Sequence, residues 1–296
     1  MTVFPYLFIT AFSKDPFGGN PAVVLFSDLT LPDEIYKGIA INLKQPMAAF
    51  VAPEGRISPE SPNVASFDIR YFPGMGGEAW LCGHATLAAA KAIFADEGRV
   101  PPQVDTIEFR SLASQKVLRA TRFGADMIEI RLPACIPQEV SQEQKTRLMP
   151  FIHQAFGREV DILHIAEGTG SYGIYVMIEI KEDDLKNSVV NAEPLRGTDY
   201  TAHVITAASS SGKEVFLSRM FDPEYIIGGE DMVCGTGHCL IGPYWYRKCG
   251  ITAGQEVKAR QVSSRGGELN LVWLESENVM ALRGSLTILG RGELYA

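Results

Sequence analysis

Hydrophobic positions recur along the chain with both of the periods that regular secondary structure imposes. Alternating apolar and polar residues predict half-buried strands, whereas apolar residues three or four positions apart predict helices. In the first half, the strand candidates are 3–10, 22–26, 48–51, 67–72 and 127–132, and the helix candidates are 32–43 and 82–94. This mixture of elements predicts an α/β (α+β) fold.

The second half continues in the same manner. Strands are predicted at 162–166, 172–180, 202–207, 215–221, 261–263, 268–274 and 279–289, and helices at 141–156 and 239–246. Pro150 is expected to kink or divide the first of these helices, because proline cannot donate a helical hydrogen bond. Pro133 and Pro137 mark a linker, so the predicted domains are 1–130 and 131–296, with the C-terminal strands free to return to the first domain.

One short motif occurs twice. Gly76 to Ala85 matches Gly228 to Gly237 in register, and the two cysteines lie 234 − 82 = 152 positions apart in a chain of 296 residues. Each copy follows a predicted strand and precedes an apolar stretch of helical pattern, so Cys82 and Cys234 each stand where a helix begins. A duplicated fold that places these turns face to face would hold two thiols on opposite sides of one bound molecule.

The start of a helix favours negatively charged groups. Its first turn has unpaired backbone N–H groups and a partial positive charge, which bind carboxylates or enolates and lower the pKa of a nearby thiol. Glycine at 83, 235 and 237 lets the backbone approach a ligand closely. Proton transfer beside a carbonyl requires a base, a donor on the opposite face and dipoles that hold the developing charge. Two Cys-Gly helix starts supply all three without a cofactor, although the same cysteines also suit simple packing.

Composition narrows the class of protein. With 46% hydrophobic and 21% charged residues, the chain is predicted to be globular rather than disordered or membrane-spanning. A net charge of −8 without a basic run disfavours nucleic-acid binding, so an anionic substrate must be held by local groups. Five cysteines and an N-terminus without a basic leader segment predict reduced thiols and a cytoplasmic location. A homodimer is compatible with this composition.

Three segments carry a resemblance to a known family. They are Phe17-Gly18-Gly19-Asn20-Pro21, Leu81-Cys82-Gly83-His84-Ala85-Thr86 and Glu230-Asp231-Met232-Val233-Cys234-Gly235-Thr236-Gly237-His238. In order and spacing the chain resembles, over essentially its whole length, the PhzF-type phenazine-biosynthesis-like family. That family is similar in fold to diaminopimelate epimerase and proline racemase, which work without a cofactor. The resemblance implies two pseudo-symmetric halves, each a curled, mostly antiparallel, barrel-like sheet around a central helix.

Departures from the family pattern bear on the mechanism. PhzF-like isomerases carry a catalytic glutamate in an Asn-Leu-Ser-Glu-Thr segment, whereas this chain has Asn42-Leu43-Lys44-Gln45-Pro46. Gln45 cannot act as a general base at neutral pH, which leaves the two thiols as the acid and the base. The Cys-Gly-Thr-Gly sequence at 234–237 resembles the racemases more than the Thr-Gly-Ser usual in PhzF proteins. Asp231 matches the family's aspartate and is expected to orient a substrate amine or a neighbouring side chain.

Further residues are expected to bind the substrate. The complete set is Asn20, Gln45, Gly83, His84, Asp231, Gly235, Thr236 and Gly237. His84 either donates a hydrogen bond to the substrate or caps its own turn, and Asn20 is either a ligand or a left-handed turn residue before proline. Arg219 either pairs with a substrate carboxylate or lies on a surface strand.

Two other segments have some features of a ligand-binding site. Gly168-Thr169-Gly170-Ser171 precedes a predicted strand and could contact the substrate, but it lacks the lysine and the helix of a phosphate loop. Cys234, His238 and Cys239 lack an evident fourth ligand and a Cys-x2-Cys pair, so no metal site is predicted.

The sequence therefore predicts a cofactor-independent racemase or epimerase acting on a small molecule with a carboxylate or carbonyl group. Cys82 and Cys234 would exchange the roles of base and acid, and the backbone N–H groups at 83–85 and 235–237 would hold the substrate oxygen. A first alternative is a PhzF-like double-bond or enol isomerase with a single acid/base, in which Asp231 or His84 replaces the missing glutamate. A second is a small-molecule-binding protein without catalysis.

Overall fold

The computed structural model describes residues 2–96, 98–182 and 184–296. The chain forms two compact units, of which the first comprises Met1–Arg131 and Arg283–Ala296 and the second comprises Leu132–Leu282. No helix in the described part of the chain is long and apolar enough to cross a membrane.

Up to the first crossing between the units, groups of two or three strands are separated by single helices. The elements are β1 (Val3–Ala11), β2 (Asn20–Phe26), α1 (Asp33–Leu43), β3 (Met47–Val51), β4 (Arg56–Ile57), β5 (Val64–Phe72), α2 (Gly83–Phe94), β6 (Thr106–Ser111), β7 (Val117–Phe123) and β8 (Met127–Pro133).

The remaining elements follow a similar order. They are β9 (Gln138–Glu139), α3 (Gln142–Phe156), β10 (Asp161–Glu167), β11 (Tyr175–Lys181), β12 (Ala202–Ala208), β13 (Phe216–Phe221), β14 (Glu230–Asp231), α4 (Gly235–Lys248), β15 (Glu256–Gln261), β16 (Gly267–Leu274) and β17 (Val279–Tyr295). Short 3-10 helices lie at Gly170–Tyr172, Glu193–Gly197 and Glu275–Glu277.

The strands of the first unit close into a barrel. Within the described residues, eight strands pair in the ring β1-β2-β3-β5-β6-β7-β8-β17 and back to β1. Helix α2 packs against β1, β2, β3 and β7, and it is buried along nearly its whole length. It therefore forms the centre of this unit.

Helix α1 covers the opposite side of the same strands. Tyr36 and Ile39 of α1 pack in one cluster with Val23 and Leu25 of β2. Because β2 and β3 lie between α1 and α2, every one of their residues is buried. Such continuous apolar runs are typical of strands covered on both faces.

The second unit repeats this ladder. From β10 through β11, β12, β13 and β15 to β16, the pairings run antiparallel, parallel, antiparallel, parallel and antiparallel. The pairings from β1 through β2, β3, β5 and β6 to β7 have the same order. Helix α4 packs against β11, β12 and β16, and α3 packs in a cluster with residues of β10 to β13.

Helix α4 contains a proline that does not break it. Pro243 has no N–H to donate to the carbonyl of Cys239, one helical turn earlier. That carbonyl instead accepts a hydrogen bond from the backbone N–H of Cys135, at 3.0 Å. The segment after β8 thus supplies the hydrogen bond that the proline removes.

The predicted fold class is confirmed, including a curled, mostly antiparallel sheet around a central helix in each unit. Several details differ from the sequence expectation. Pro150 lies within α3 without dividing it, and the strand predicted at 172–180 begins at Tyr175 because Gly170–Tyr172 forms a 3-10 turn. Of the strand expected at 261–263, only Gln261 lies in a strand, as the last residue of β15, which begins at Glu256.

Candidate active site

Both copies of the repeated motif adopt the same local structure. Cys82 and Cys234 are the N-cap residues of α2 and α4, and both have extended backbone conformations, with φ of −147° and −100°. Upstream, the paired glycines all have positive φ, with +86° and +84° at 76–77 and +81° and +77° at 228–229. Side chains are strained in this region, which explains the glycines. The duplicated sequence therefore encodes a duplicated turn.

An arginine-glutamate pair anchors each turn to the preceding strand. Arg70 of β5 donates two hydrogen bonds to Glu78, at 2.8 and 2.6 Å, and Arg219 of β13 donates two to Glu230, at 2.6 and 2.9 Å. Both guanidinium groups are mostly buried, and each lies about 5.0 Å above the phenylalanine two residues later. These bidentate pairs hold each glycine turn at both ends.

The contacts of Arg219 contradict one of the two alternatives that the sequence left open. Its side chain is buried, so it is not a surface strand residue, and besides Glu230 it donates to the backbone carbonyls of Leu185 and Ser188. Arg70 makes its additional contact with the carboxylate of Asp33, at 2.8 Å. Both arginines therefore serve internal contacts in this structure.

Cys82 lies beside the imidazole ring of His84. The thiol is 8% exposed, and its Sγ lies 3.4 Å from Nδ1 of His84. The ring of His84 also hydrogen-bonds to the backbone of Pro21, so the glycine turn that precedes β2 adjoins the first cysteine turn. Burial lowers the pKa of His84 to about 4, and the bond to Pro21 only partly opposes this effect. His84 is therefore neutral at pH 7.

A hydroxyl pair supports the backbone of this first turn. Thr86 Oγ1 donates to the carbonyl of Cys82 at 2.7 Å and lies 2.6 Å from the hydroxyl of Tyr71. The carbonyl also accepts the backbone N–H of Thr86, as expected at a helix start.

Cys234 lies within a denser set of hydrogen bonds. Its Sγ accepts the backbone N–H of Gly237 at 3.3 Å and lies 3.3 Å from Thr236 Oγ1, which lies 2.8 Å from the hydroxyl of Tyr175. The thiol also hydrogen-bonds to the side chain of Asp231. One of the N–H groups expected to hold a substrate, that of Gly237, is thus directed at the sulfur.

The pKa of the Cys234 thiol is raised, so the expected lowering at a helix start is wrong for this residue. Burial is the main cause, and the charge of Asp231 adds to it, whereas the hydrogen bonds from Thr236 and Gly237 act in the opposite direction. The helix start does contribute the anticipated stabilisation of negative charge, but desolvation outweighs it. Cys234 is consequently a protonated thiol at neutral pH.

Two further side chains fix the backbone of the second turn. Gln261 accepts the N–H of Cys234 at 2.8 Å and donates to the carbonyl of Asp231 at 2.6 Å. His238 lies 2.7 Å from the carbonyl of Cys234 through Nδ1, which must be the donor, and Ser218 lies 3.2 Å from its Nε2. Burial lowers the pKa of His238 to about 4, consistent with this neutral tautomer.

The remaining sequence candidates also have defined surroundings. Gln45 lies between α1 and β3 in the first unit, where its amide donates to the carbonyl of Leu43 at 3.2 Å. The loop before the first glycine pair packs closely on it, since a Cβ at Gly74 would lie 2.6 Å from the carbonyl oxygen of Gln45. Asn20 is fully buried at the start of β2. The backbone N–H of Thr169 donates a hydrogen bond to the sulfur of Cys135, at an N–S distance of 3.4 Å.

Sequence reasoning missed Tyr175, Gln261 and the two arginine-glutamate pairs. Tyr175 and Gln261 are distant from Cys234 in sequence and reach it only through the folded sheet. The arginine-glutamate pairs carried a signal, because an arginine two residues from each strand end precedes a Gly-Gly-Glu sequence in both halves. Among the described residues, no group of three or more His, Cys, Asp or Glu side chains is arranged to hold a metal ion.

The fold and the site define a mixed α+β protein with two similarly built units, each carrying a cysteine at the start of a buried central helix. Residues 9–290 match the PhzC-PhzF family, described as phenazine biosynthesis-like protein. The chain belongs to this family. It is 32% identical to an uncharacterized isomerase from Pseudomonas aeruginosa, over 97% of this chain and 96% of the relative.

Solved structures show the same fold. A PhzF-family protein from Enterococcus faecalis superposes with a TM-score of 0.82 at 28% identity, with complete coverage of both chains. A hydroxyproline epimerase from Agrobacterium vitis, solved with trans-4-hydroxy-L-proline, superposes with a TM-score of 0.60 at 10% identity, over 99% of this chain and 91% of that one. The second likeness concerns the fold alone.

Proposed function

We propose that this protein is an isomerase of the racemase or epimerase type, which inverts a carbon next to a carbonyl or carboxylate group in a small molecule. Cys82 and Cys234 are the two acid/base groups of the proposal. The scheme requires no cofactor, because the thiols move the proton and the helix starts hold the charge.

The observation that carries the proposal is the duplicated cysteine turn. Each unit has a buried cysteine at the N-cap of its central helix, after two glycines of positive φ and an anchored glutamate. A packing role accounts for a buried cysteine and an N-cap role accounts for the N–H of Gly237, but neither requires the hydroxyl of Thr236 that lies 3.3 Å from Cys234 Sγ. Donors placed around a sulfur are suited to a thiolate that forms and disappears during turnover.

Each turnover moves one proton in and one proton out. In one direction Cys82, as thiolate, removes the hydrogen from the substrate carbon, and the thiol of Cys234 delivers its proton to the opposite face. The bonding electrons of the broken C–H bond are held as an enolate until the new C–H bond forms. The raised pKa of Cys234 matches a donor that is protonated before reaction. The reverse direction exchanges the two roles.

Backbone and side-chain groups of the two turns supply substrate contacts in this proposal. The N–H groups of residues 83–85, 235 and 236 belong to the first turns of α2 and α4. Such groups are suited to binding a carboxylate or enolate oxygen. Asn20, Gln45 and His84 are the contacts proposed from the first unit, and Asp231 and Thr236 those from the second. With a net charge of −8, attraction of an anion depends on such local donors.

Relatives support the coarser part of the proposal. The Pseudomonas aeruginosa relative is named an isomerase, and this chain spans nearly its full length. The fold shared with a hydroxyproline epimerase is compatible with racemase chemistry, although at 10% identity it supports the architecture only.

A second candidate is a double-bond or enol isomerase that uses one acid/base group. Family membership favours it, as does the position of Asp231, whose side chain hydrogen-bonds to the thiol of Cys234. His84, buried against Cys82, is the corresponding group in the first unit. In this candidate a hydrogen moves to a different carbon and no centre is inverted.

Proton nuclear magnetic resonance of early turnover in heavy water distinguishes these candidates. A panel of small 2-amino and 2-hydroxy acids provides the substrates. Under the proposal, the inverted product carries deuterium at the reacting carbon while recovered substrate carries little, because an enclosed thiol exchanges its hydrogen slowly. A shifted double bond without inversion would reject the epimerase assignment in favour of the second candidate. Binding without hydrogen exchange would reject both.

Substitution of the thiols provides a second test. Cys82→Ser and Cys234→Ser should each lower turnover by about a hundredfold or more, because a serine hydroxyl is far harder to ionise than a thiol. The exposed Cys249, at the C-terminal end of α4, offers the matched control Cys249→Ser, which should retain native turnover. Near-native rates in both site variants would make the two cysteines packing residues.

A further inference from the structure

The thiol of Cys234 is the third member of a line of four polar side chains. Tyr175 of β11 lies 2.8 Å from Thr236 of α4, Thr236 lies 3.3 Å from the sulfur, and the thiol hydrogen-bonds to Asp231 of β14. Tyr175 and Thr236 are half-buried, whereas Cys234 is 5% exposed. The line thus connects the hydroxyl of a half-buried tyrosine with a buried sulfur.

The acidic end sets the direction of these hydrogen bonds. An ionised carboxylate only accepts, so the S–H of Cys234 donates to Asp231. Because the S–H hydrogen is directed at Asp231, the sulfur is left to accept a hydrogen bond from the hydroxyl of Thr236. The oxygen of Thr236 in turn accepts a hydrogen bond from the hydroxyl of Tyr175. All the hydrogen bonds of the line then run in one direction, from Tyr175 to Thr236 and from Thr236 to the sulfur.

We propose that Tyr175 is a positioning residue that orients the hydroxyl of Thr236 toward the sulfur of Cys234, so that the thiolate formed in turnover is met by two donors. The second donor is the N–H of Gly237, already 3.3 Å from the sulfur. Tyr175 and Thr236 keep their protons throughout. This inference rests on the proposed function, in which Cys234 passes through a thiolate.

The surroundings of Cys234 show why such donors matter. Burial and the negative charge of Asp231 both disfavour the thiolate. The groups that face the sulfur are Asp231 from β14 and Thr236 and Gly237 from α4, and Tyr175 from β11 lies close enough for its own pKa to respond to the Cys234 charge. The two hydrogen bonds from α4 are the contacts that favour the charged form, and one of them depends on the orientation of a rotatable hydroxyl.

The first cysteine turn provides an internal contrast. There a tyrosine-threonine pair also exists, but Thr86 Oγ1 donates to the carbonyl of Cys82, and the residue two positions after the cysteine is His84. The hydroxyl pair of the first unit therefore supports the backbone, whereas that of the second unit reaches the sulfur. Orientation of a donor toward the thiolate is a property of the Cys234 turn.

Alkylation of Cys234 measures the thiolate without requiring turnover. The rate of labelling by iodoacetamide is followed by peptide mass spectrometry between pH 7 and 9, with the exposed Cys249 as internal reference. Tyr175→Phe should lower the relative rate at Cys234 by about threefold to tenfold, as the loss of one hydrogen bond to a charged group implies. Thr236→Val should lower it at least as much, and Thr236→Ser, which keeps the hydroxyl, should restore it.

Two comparisons separate positioning from a general loss of packing. The ring of Tyr172 lies 5.7 Å from that of Tyr175, but its hydroxyl donates to the carbonyl of Pro133. Tyr172→Phe should therefore leave the labelling of Cys234 unchanged. The double variant Tyr175→Phe with Thr236→Val should label like Thr236→Val alone, because the tyrosine acts only through the threonine. An unchanged or faster rate in Tyr175→Phe, or additive effects in the double variant, would overturn the inference.

Turnover gives the second reading. Tyr175→Phe should lower kcat by about the same factor as the labelling rate while KM stays constant, because the oriented hydroxyl acts on the thiolate rather than on the bound ground state. If labelling responds as expected but the wild-type protein inverts no substrate carbon, the hydrogen-bond line stands and the proposed function fails. If inversion occurs but labelling does not respond, the proposed function stands and the role of Tyr175 is rejected.

Discussion

The two arginine-glutamate pairs allow one prediction to be made twice within a single protein. Glu78→Gln and Glu230→Gln are matched changes that keep the shape of each side chain and remove its charge. The turns they anchor precede Cys82 and Cys234 respectively. Their consequences should nevertheless differ, because the two arginines have different remaining partners.

The magnitude follows from those partners. After Glu230→Gln, the guanidinium of Arg219, only 9% exposed in its side chain, keeps the carbonyls of Leu185 and Ser188 and the ring of Phe221 among its described contacts. Leaving a buried charge without its counter-ion costs about 3–5 kcal/mol, and the retained amide oxygen reduces this to about 2–3 kcal/mol.

The first unit should tolerate the same change better. After Glu78→Gln, Arg70 keeps the carboxylate of Asp33 at 2.8 Å, so its charge remains paired. The expected loss is that of a charged hydrogen bond exchanged for a neutral one, about 1 kcal/mol. The difference between the two variants should therefore be about 1–2 kcal/mol, with the second unit more affected.

Hydrogen exchange measured by mass spectrometry assigns each loss to its own unit, which a single thermal midpoint cannot do for a chain with two compact units. Peptides covering 219–234 should exchange about thirtyfold faster or more in Glu230→Gln, and peptides covering 70–82 about fivefold faster in Glu78→Gln. Urea unfolding provides the total change in stability. Equal losses in the two variants, or a greater loss in Glu78→Gln, would refute the reasoning from the remaining partners.

Three other predictions concern glycine conformation, pH and the missing glutamate. Gly77→Ala should cost about 1 kcal/mol for its positive φ alone, whereas Gly229→Ala should cost more, because its Cβ would lie 2.8 Å from that of Ala192; urea unfolding compares them. His203 is buried with its pKa lowered from 6.5 to about 4, so the unfolded chain binds its proton first and stability should fall as pH drops through that range. For this group the free energy of unfolding should fall by about 1.4 kcal/mol per pH unit over that range. His203→Asn should reduce the measured pH dependence of the free energy of unfolding by that amount. Gln45→Glu should not restore turnover to either cysteine-to-serine variant, and recovery in a turnover assay would favour the family's carboxylate chemistry.

The duplicated motif could be recognised from sequence because its structure is local. Glycines of positive φ, an N-cap cysteine and the start of the following helix lie within ten residues, so the same sequence forms the same turn in both halves. The strands around them were also predictable, since β1, β2 and β12 have apolar patterns that the finished sheet buries. The central helices were predictable for the same reason.

The side chains that complete each turn could not be predicted in this way. Tyr175 approaches Thr236 from 61 residues away, and Gln261 reaches the backbone of Cys234 across 27. Only the order of β11, β12, β13 and β15 as neighbouring strands of one sheet brings them together. The raised pKa of Cys234 has the same origin, because burial depends on everything packed around the thiol and not on its place in the helix.

The anchored turns have a consequence for how the protein tolerates change over evolutionary time. Arg70 and Glu78 are 8 residues apart, but Arg219 and Glu230 are 11 apart, although both pairs form the same bidentate contact. The three additional residues are therefore absorbed between two fixed ends, where exposed side chains such as Tyr225 and Ile227 stand. We expect insertions and substitutions at this point to change the exposed surface of the turn while the arginine-glutamate pair keeps its two ends in place. The turn before Cys234 is thus a place where we expect changes of sequence to be tolerated.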